Sequence, residues 1–158
     1  MSPDQKILTR DDLLHRYGRP RSCRVVFTNG CFDLLHRGHV AYLNAARSLG
    51  DVLIVGMNTD ASVRRLAKDA SRPLVSEEDR AYVLASLARV DGVILFDEDT
   101  PLSLIAALLP DVLVKGGDYA ADDVVGRREV EAAGGRLALI PFVKGYSTTA
   151  LVQRIRGG

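Results

Sequence analysis

Short, continuously apolar runs recur along the chain, and stretches with the spacing of amphipathic helices separate them. Runs without polar alternation are typical of parallel strands that are covered on both faces. The alternation of strand and helix predicts a Rossmann-like, doubly wound α/β fold, a five-stranded parallel sheet with helices on both faces. The predicted strands are 24–28, 52–57, 92–96, 112–114 and 136–140, and the predicted helices are 38–49, 60–67, 77–89, 101–109, 124–133 and 148–156.

The segment before the first of these strands has its own pattern. Residues 4–17 have the spacing of a short amphipathic helix, with Thr9 as a candidate N-cap, and the turn at 17–20 ends it. We therefore expect an N-terminal helix and lead-in over 1–22, followed by one domain over 23–158.

Composition narrows the class of protein. A chain of 158 residues can bury one full-sized core, and its net charge of +1 gives no reason to expect a nucleic-acid or membrane partner. Two cysteines are too few for a disulfide framework, and the N-terminus lacks the apolar stretch of a secretion signal. These features predict a cytoplasmic protein that acts on small molecules.

Polar segments follow each predicted strand, where ligands bind in open parallel sheets. Because the carboxyl ends of parallel strands meet at one edge, we expect these segments to surround one site. They are residues 28–33, 58–60, 96–100, 115–119 and 141–149.

The segment after the first strand carries His36 and His39, with Gly38 between them. Residues three apart share a helix face, and a helix start offers free N–H groups and the positive end of its dipole. This arrangement predicts a polyphosphate site in which the imidazoles donate hydrogen bonds to phosphate oxygens. Two alternatives stay open: the histidines cap or pack, or they ligate zinc with Cys31 nearby.

Two later segments complete the predicted site. The turn at 115–118 pairs Lys115 with two glycines, which suits a flat ring or a ribose, and Asp118 suits ribose hydroxyls. A plain tight turn is the alternative. The run at 147–149 opens the last helix with three hydroxyls, which predicts a second phosphate-binding helix start or an N-cap, two roles that are compatible.

Several charged residues have two interpretations each. Lys68 and Arg72 lie where a loop could close cations over phosphates, or they are simply solvated. Arg80 reaches a phosphate or pairs with a carboxylate. The acidic run 97–99 either holds Mg²⁺ or caps the helix 101–109, and we favour the cap.

Attack by a substrate phosphate on a nucleoside triphosphate fits this set of residues. The nucleophile is already an anion, so catalysis reduces to positioning and charge stabilisation, with Mg²⁺ assisting. No general base is needed, and the sequence carries no G-x-x-x-x-G-K-[ST] phosphate loop.

The run His36-Arg37-Gly38-His39 resembles the H-x-G-H signature of the nucleotidyltransferase superfamily, and the late run 146–149 resembles the I-S-T-T signature of its cytidylyltransferase-like branch. Segments at 28–33, 56–60, 96–101 and 114–119 are similar to adenylyltransferases that make ADP-heptose. This resemblance implies AMP transfer from ATP to D-glycero-D-manno-heptose 1-phosphate, for the inner core of lipopolysaccharide. It also implies a free-standing form served by a separate heptose kinase, and a homodimer or larger assembly.

The resemblance and the segments above together predict the site residues. One departure concerns the nucleobase: cytidylyltransferases carry Arg-Thr where this chain has Phe142-Val143, which suits an adenine ring against an apolar wall, and Lys144 replaces part of the lost charge. The predicted catalytic residues are His36, His39 and Lys144; the nucleotide contacts are Thr28, Asn29, Gly30, Phe32, Asp33, Gly38, Arg72, Lys115, Gly116, Asp118, Ser147, Thr148 and Thr149; the sugar-phosphate contacts are Asn58, Arg80 and Lys115.

Three other functions compete with this interpretation. The same chemistry could join CTP to glycerol phosphate or another small phosphate ester. A non-catalytic nucleotide-binding module or a fragment of a class I aminoacyl-tRNA synthetase would share parts of the pattern. The intact histidines and hydroxyl run argue against the module, and the balanced charge argues against the synthetase.

Overall fold

The computed structural model describes residues 1–67, 69–117 and 120–157. None of the helices in these ranges combines the length and apolarity needed to cross a bilayer. The strands are β1 (Ile7–Leu8), β2 (Val25–Gly30), β3 (Val52–Asn58), β4 (Gly92–Phe96), β5 (Val112–Gly116) and β6 (Arg136–Ile140). The helices are α1 (Pro3–Lys6), α2 (Arg10–Tyr17), α3 (Arg37–Arg47), α4 (Asp60–Leu66), α5 (Glu77–Ala85), α6 (Leu102–Leu108), α7 (Arg127–Ala132) and α8 (Thr148–Gly157), and a short 3₁₀ turn spans Ala121–Asp123.

The described strands form one parallel sheet in the order β1-β4-β3-β2-β5-β6. The predicted class is confirmed, but the predicted count of five strands is wrong, because the described residues form six. The predicted helix at 124–133 also begins later than expected. Gly126 adopts a left-handed φ of 85° at the start of α7, and the 3₁₀ turn precedes it.

The additional strand replaces part of the predicted helix 4–17. Ile7 and Leu8 pair with Val93 and Ile94 at the edge of the sheet, and the Leu8 side chain is buried there. Burial against β4 outweighs helix continuation for these two apolar residues. Thr9 then caps α2 as predicted, because its hydroxyl accepts the backbone N–H of Asp12.

Alternate residues of the strands supply two apolar layers, one on each face of the sheet. On one face, Val26, Leu53 and Val55 pack with residues of α3 and α5. On the other face, Phe27 and Ile54 pack with residues of α2, α6 and α7. Coverage on both faces explains why the strands are continuously apolar in sequence.

The strand order reverses beside β2. The chain runs from β2 through β3 to β4 on one side, then crosses to β5 and β6 on the other. Reversal leaves a crevice at the carboxyl ends of β2 and β5, which end at Gly30 and Gly116. The fold therefore brings the segments that follow these two strands to one place.

Candidate active site

A cavity of about 320 Å³ occupies this crevice. Both predicted phosphate-binding segments contribute to it, the His36–His39 turn at the start of α3 and the Ser147–Thr148 start of α8. The prediction that these distant segments meet is confirmed. The lining residues are Asn29, Gly30, Cys31, Phe32, His36, Gly38, His39, Tyr42, Lys115, Gly116, Phe142, Val143, Tyr146, Ser147 and Thr148.

The two imidazoles stack on each other at the start of α3. Their ring centroids lie 3.9 Å apart with an interplanar angle of 25°. His36 is the N-cap residue, and its backbone N–H lies 3.4 Å from His39 Nδ1. A Cβ on Gly38 would come within 2.9 Å of both His36 Cε1 and Tyr146 Cβ, so glycine is needed for this close packing.

Burial controls the charge of this pair. It lowers the pKa of His39 to about 4, with a smaller contribution from the neighbouring His36, and burial also lowers the pKa of His36. Both rings are therefore neutral near pH 7, and each can donate one ring N–H. An approaching phosphate chain would favour proton uptake by the pair, since an anion stabilises imidazolium.

A second cavity of about 350 Å³ adjoins the first. Lys115, at the carboxyl end of β5, lines both cavities, and burial lowers the pKa of its ammonium group. Asn29, Gly30 and Cys31 are also shared between them. The residues that line only the second cavity are Asn58, Leu66, Asp99, Thr100, Pro101, Leu113, Asp123, Val124 and Val125.

Phe142 and Val143 form an apolar wall of the first cavity. The Phe142 ring lies on the backbone of Gly116 and Gly117, where added Cβ atoms would come within 2.7 and 2.6 Å of it. Gly117 also has a left-handed φ of 97°, which other residues rarely adopt. The glycine turn thus holds the Phe142 ring, whereas the sequence predicts a ring or ribose of a bound ligand there.

Thr28, a predicted nucleotide contact, does not line the cavity. It is fully buried, and its hydroxyl lies 2.6 Å from the Tyr42 hydroxyl. Burial raises the pKa of Tyr42 to about 12, so both groups remain neutral. This hydrogen bond ties β2 to α3, the helix that carries His39.

Asp33 and Arg72, two further predicted contacts, bind each other. Arg72 donates to the Asp33 carboxylate at 2.9 Å, and the backbone N–H groups of Leu74 and Val75 donate to it at 2.8 and 3.0 Å. Burial would raise the pKa of Asp33, but these hydrogen bonds outweigh it and hold the pKa below its ordinary value. The pair thus ties the 72–75 loop to the segment that follows β2.

Arg80, a predicted sugar-phosphate contact, is fully buried at its side chain and pairs with the Asp60 carboxylate at 2.6 Å. Its guanidinium also donates to the carbonyl oxygens of Cys31, Asn58 and Val75. The alternative of a carboxylate partner is therefore the correct one. Arg80 thus joins the segments at the carboxyl ends of β2 and β3.

The start of α8 combines capping with access to the cavity. Ser147 Oγ accepts the backbone N–H of Ala150 at 3.0 Å, and the Thr148 hydroxyl donates to the Leu34 carbonyl. Lys144 and Thr149 are exposed and are not among the lining residues. Asp118 and Lys68 lie outside the described residues.

The acidic run 97–99 does not cap α6. Asp97 accepts the Thr59 hydroxyl at 2.5 Å, and Arg65 forms ion pairs with Asp97 and Asp99. The N-cap residue of α6 is Pro101, which makes no side-chain cap. Within the described ranges, no group of three or more His, Cys, Asp or Glu side chains is arranged to hold a metal ion.

The sequence interpretation assigned no site role to Tyr42 or Tyr146, which also line the cavity. Tyr42 lies three residues after His39 in α3, so helical spacing could have indicated it. Tyr146 directly precedes the hydroxyl run, but no spacing rule predicts where its ring lies.

Comparison with known proteins identifies relatives of this arrangement. The profile of the Cytidylyltransferase-like family matches residues 27–154. The bifunctional protein HldE of Citrifermentans bemidjiense is 59% identical over 154 residues, covering 96% of this chain and 31% of that protein. HldE of Geobacter sulfurreducens is 61% identical over 132 residues, covering 84% of this chain and 27% of that protein. The chain thus spans less than a third of the length of these curated relatives.

A solved structure is also similar. The lipopolysaccharide core biosynthesis protein of Thermoplasma volcanium is 28% identical, with a TM-score of 0.64, and the match covers 80% of this chain and 100% of that one.

Proposed function

This chain belongs to the cytidylyltransferase-like family of nucleotidyltransferases, and we propose that it transfers AMP from ATP to D-glycero-D-manno-heptose 1-phosphate. The products are ADP-heptose, for the lipopolysaccharide inner core, and pyrophosphate. The observation that carries the proposal is that the His36–His39 pair and the start of α8 line one cavity, which Lys115 joins to a second.

The chemistry requires no base. A phosphate oxygen of the sugar attacks the α-phosphorus of ATP and forms a new P–O bond, while the bond to the bridging oxygen breaks and pyrophosphate leaves. Negative charge grows on the oxygens around the reacting phosphorus. Neutral imidazole N–H groups of His36 and His39 would donate to these oxygens inside the cavity, where preorganised donors stabilise a transition state strongly.

Two helix starts would bind the phosphate chain. Residues at the starts of α3 and α8 line the cavity together, and helix starts favour phosphate binding through their dipoles and N–H groups. Phe142 and Val143 give the nucleobase an apolar wall, which supports ATP rather than CTP. The described residues that line this cavity include no carboxylate, and Mg²⁺ would enter as part of the MgATP substrate.

The second cavity suits the acceptor. Lys115, where the cavities meet, offers a cation to the sugar phosphate. Asn58 and Thr100 offer polar groups to sugar hydroxyls. The choice of heptose comes from the resemblance to ADP-heptose-forming enzymes and the likeness to HldE proteins.

The direct test is an assay with MgATP and each anomer of heptose 1-phosphate, read by the mass of the sugar nucleotide. We expect ADP-heptose from one anomer and no product from CTP with glycerol 3-phosphate. Product from the CTP reaction alone would contradict the proposal.

Lys115→Ala tests the acceptor site. The KM for the sugar phosphate should rise about 10- to 100-fold, the scale of losing a charged hydrogen bond. Lys144→Ala, measured alongside, tests the lysine that the sequence predicts to be catalytic. Because Lys144 is exposed and does not line the cavity, we expect a smaller change in KM. Equal KM values in wild type and Lys115→Ala would remove Lys115 from the site.

Two partners follow from the proposal. The acceptor must carry its phosphate before adenylyl transfer, so a sugar kinase has to act first. The resemblance also implies a homodimer or larger assembly, which light scattering on the purified protein would test.

A further inference from the structure

Five side chains form a continuous row, and four of them line the first cavity. The Phe32 and His39 ring centroids lie 5.4 Å apart, those of His39 and His36 3.9 Å, and those of His36 and Tyr146 6.2 Å with an interplanar angle of 27°. The Arg37 guanidinium lies over the Tyr146 ring, 5.9 Å from its centroid. The histidine pair is therefore enclosed between two aromatic rings.

We propose that Tyr146 is a positioning residue for adenylyl transfer, which holds the His36 imidazole against His39 by stacking on its outer face. The inference rests on the proposed function, since it acts through His36. It adds a residue for which neither the sequence pattern nor the resemblance predicts a role.

Hydrogen bonds do not explain the orientation of His36. Its Nδ1 is buried and, within the described ranges, has no hydrogen-bond partner. Ring packing is the restraint that the structure does provide. Offset stacking at such centroid distances favours one ring orientation, and a neighbouring cation adds to it.

Gly38 allows this contact to form. A Cβ at Gly38 would lie 2.9 Å from Tyr146 Cβ and 2.9 Å from His36 Cε1, so both side chains use the space that glycine leaves. The Arg37 guanidinium also donates to the Tyr146 hydroxyl at 3.5 Å. The first turn of α3 is thus shaped to receive this tyrosine.

The contact matters because Tyr146 lies in the loop that leads into α8. It directly precedes Ser147, the residue that caps α8 at the cavity. The same loop therefore delivers a phosphate-binding helix start and the restraint on His36. Correct seating of the loop aligns both halves of the site at once.

The kinetic test compares Tyr146→Ala with Tyr146→Phe. Loss of the ring should lower kcat roughly 10- to 100-fold, the scale of misplacing a catalytic group by about 1 Å, with little change in the KM for ATP. Tyr146→Phe keeps the ring and should keep kcat close to wild type. Tyr82→Ala, which removes a half-exposed tyrosine of α5 outside the cavity, is the matched control.

A spectroscopic measurement separates this inference from the proposed function. The Cε1–H resonance of His36 should carry a ring-current shift in wild type and Tyr146→Phe, and lose it in Tyr146→Ala. An unchanged resonance in Tyr146→Ala, or an unchanged kcat, would overturn the positioning role. Equal damage from both substitutions would also overturn it, because the hydroxyl rather than the ring would then matter. A wild-type protein that makes no sugar nucleotide would reject the function, while the resonance still reports the stack.

Discussion

Two sets of polar side chains lie at the same edge of the sheet and are built in opposite ways. The histidine cleft comprises His36, His39, Lys115 and Ser147, which line the first cavity. The arginine frame comprises Arg80, Asp60, Arg72 and Asp33, which form two ion pairs and do not line that cavity. The imidazoles of the cleft are neutral near pH 7, whereas the frame consists of paired charges.

The difference shows that one set of side chains at this edge stabilises the fold and the other is available to bind a ligand. Buried charges are costly unless they are paired and hydrogen-bonded, and the guanidinium of Arg80 meets that condition with four oxygen partners. Such groups have no capacity left for a ligand. The neutral donors that line the cavity keep their capacity to hydrogen-bond a ligand. The histidine cleft is therefore the set that can bind a substrate.

The largest expected effect comes from breaking the frame. Arg80→Ala leaves Asp60 and three carbonyl groups without their partner, and should lower the free energy of unfolding by about 3–5 kcal/mol in urea titration. Arg80→Lys keeps the charge but not the planar set of N–H donors. Its free energy of unfolding should lie between those of wild type and Arg80→Ala.

A partly exposed arginine provides the control for the frame. Arg127 of α7 pairs with the solvent-exposed Asp122 of the 3₁₀ turn, and Arg127→Ala should cost much less stability than Arg80→Ala. If Arg80→Ala unfolds at the wild-type urea concentration, the frame does not support the fold.

The cleft should respond in activity rather than in stability. His39→Ala removes one preorganised donor and should lower kcat roughly 10²- to 10³-fold, with little change in the KM for ATP. His15→Ala, at an exposed position of α2, is the matched control in the same steady-state assay. Near-normal turnover by His39→Ala would remove the histidine pair from the mechanism.

Asp33→Asn tests whether Asp33 belongs to the frame. Its hydrogen bonds from Arg72, Leu74 and Val75 suggest a loss of about 1.5–3 kcal/mol at neutral pH, the range for hydrogen bonds to a charged group. Because the pKa of Asp33 is lowered in the folded state, its stabilisation is present above the ordinary aspartate value of about 4 and is lost as pH falls through the folded value. Urea titrations of both proteins across this pH range should therefore converge at low pH, and a gap independent of pH would contradict the assignment.

The smallest effect is a titration in the cleft. In the ligand-free protein, the His39 ring should titrate with a midpoint of about 4 by NMR, because burial disfavours its charged form. Addition of a non-hydrolysable ATP analogue should raise that midpoint, since phosphate charge stabilises imidazolium. A midpoint near the ordinary histidine value of about 6.5 in the ligand-free protein would show that the pair is not desolvated.

The sequence predicts the sheet well because strands that are buried on both faces appear as continuous apolar runs. The strand β1 is not predicted, because two apolar residues are too few to show a period and they occur inside a helical spacing. The start of α6 is similar, since an acidic run before a helix resembles a cap until its ion pairs with Arg65 are seen.

The sequence predicts where the site lies, but it predicts only some of the residues that line it. Polar segments after parallel strands converge by topology, so the meeting of His36 with Ser147 follows from the fold. Arg72, Arg80 and Asp33 have the same residue types as ligand contacts, but their partners come from distant segments that spacing does not encode. Thr28 is similar, because its partner Tyr42 is fixed only when α3 packs on β2.

The contact between Arg37 and Tyr146 joins residues 109 positions apart in the chain. During synthesis, the first helix start therefore leaves the ribosome long before the loop that completes the cavity. A nascent chain can form β2, α3 and β3 early, yet the first cavity is complete only when the start of α8 has emerged. The first cavity is thus completed only after every strand of the described sheet has been synthesised.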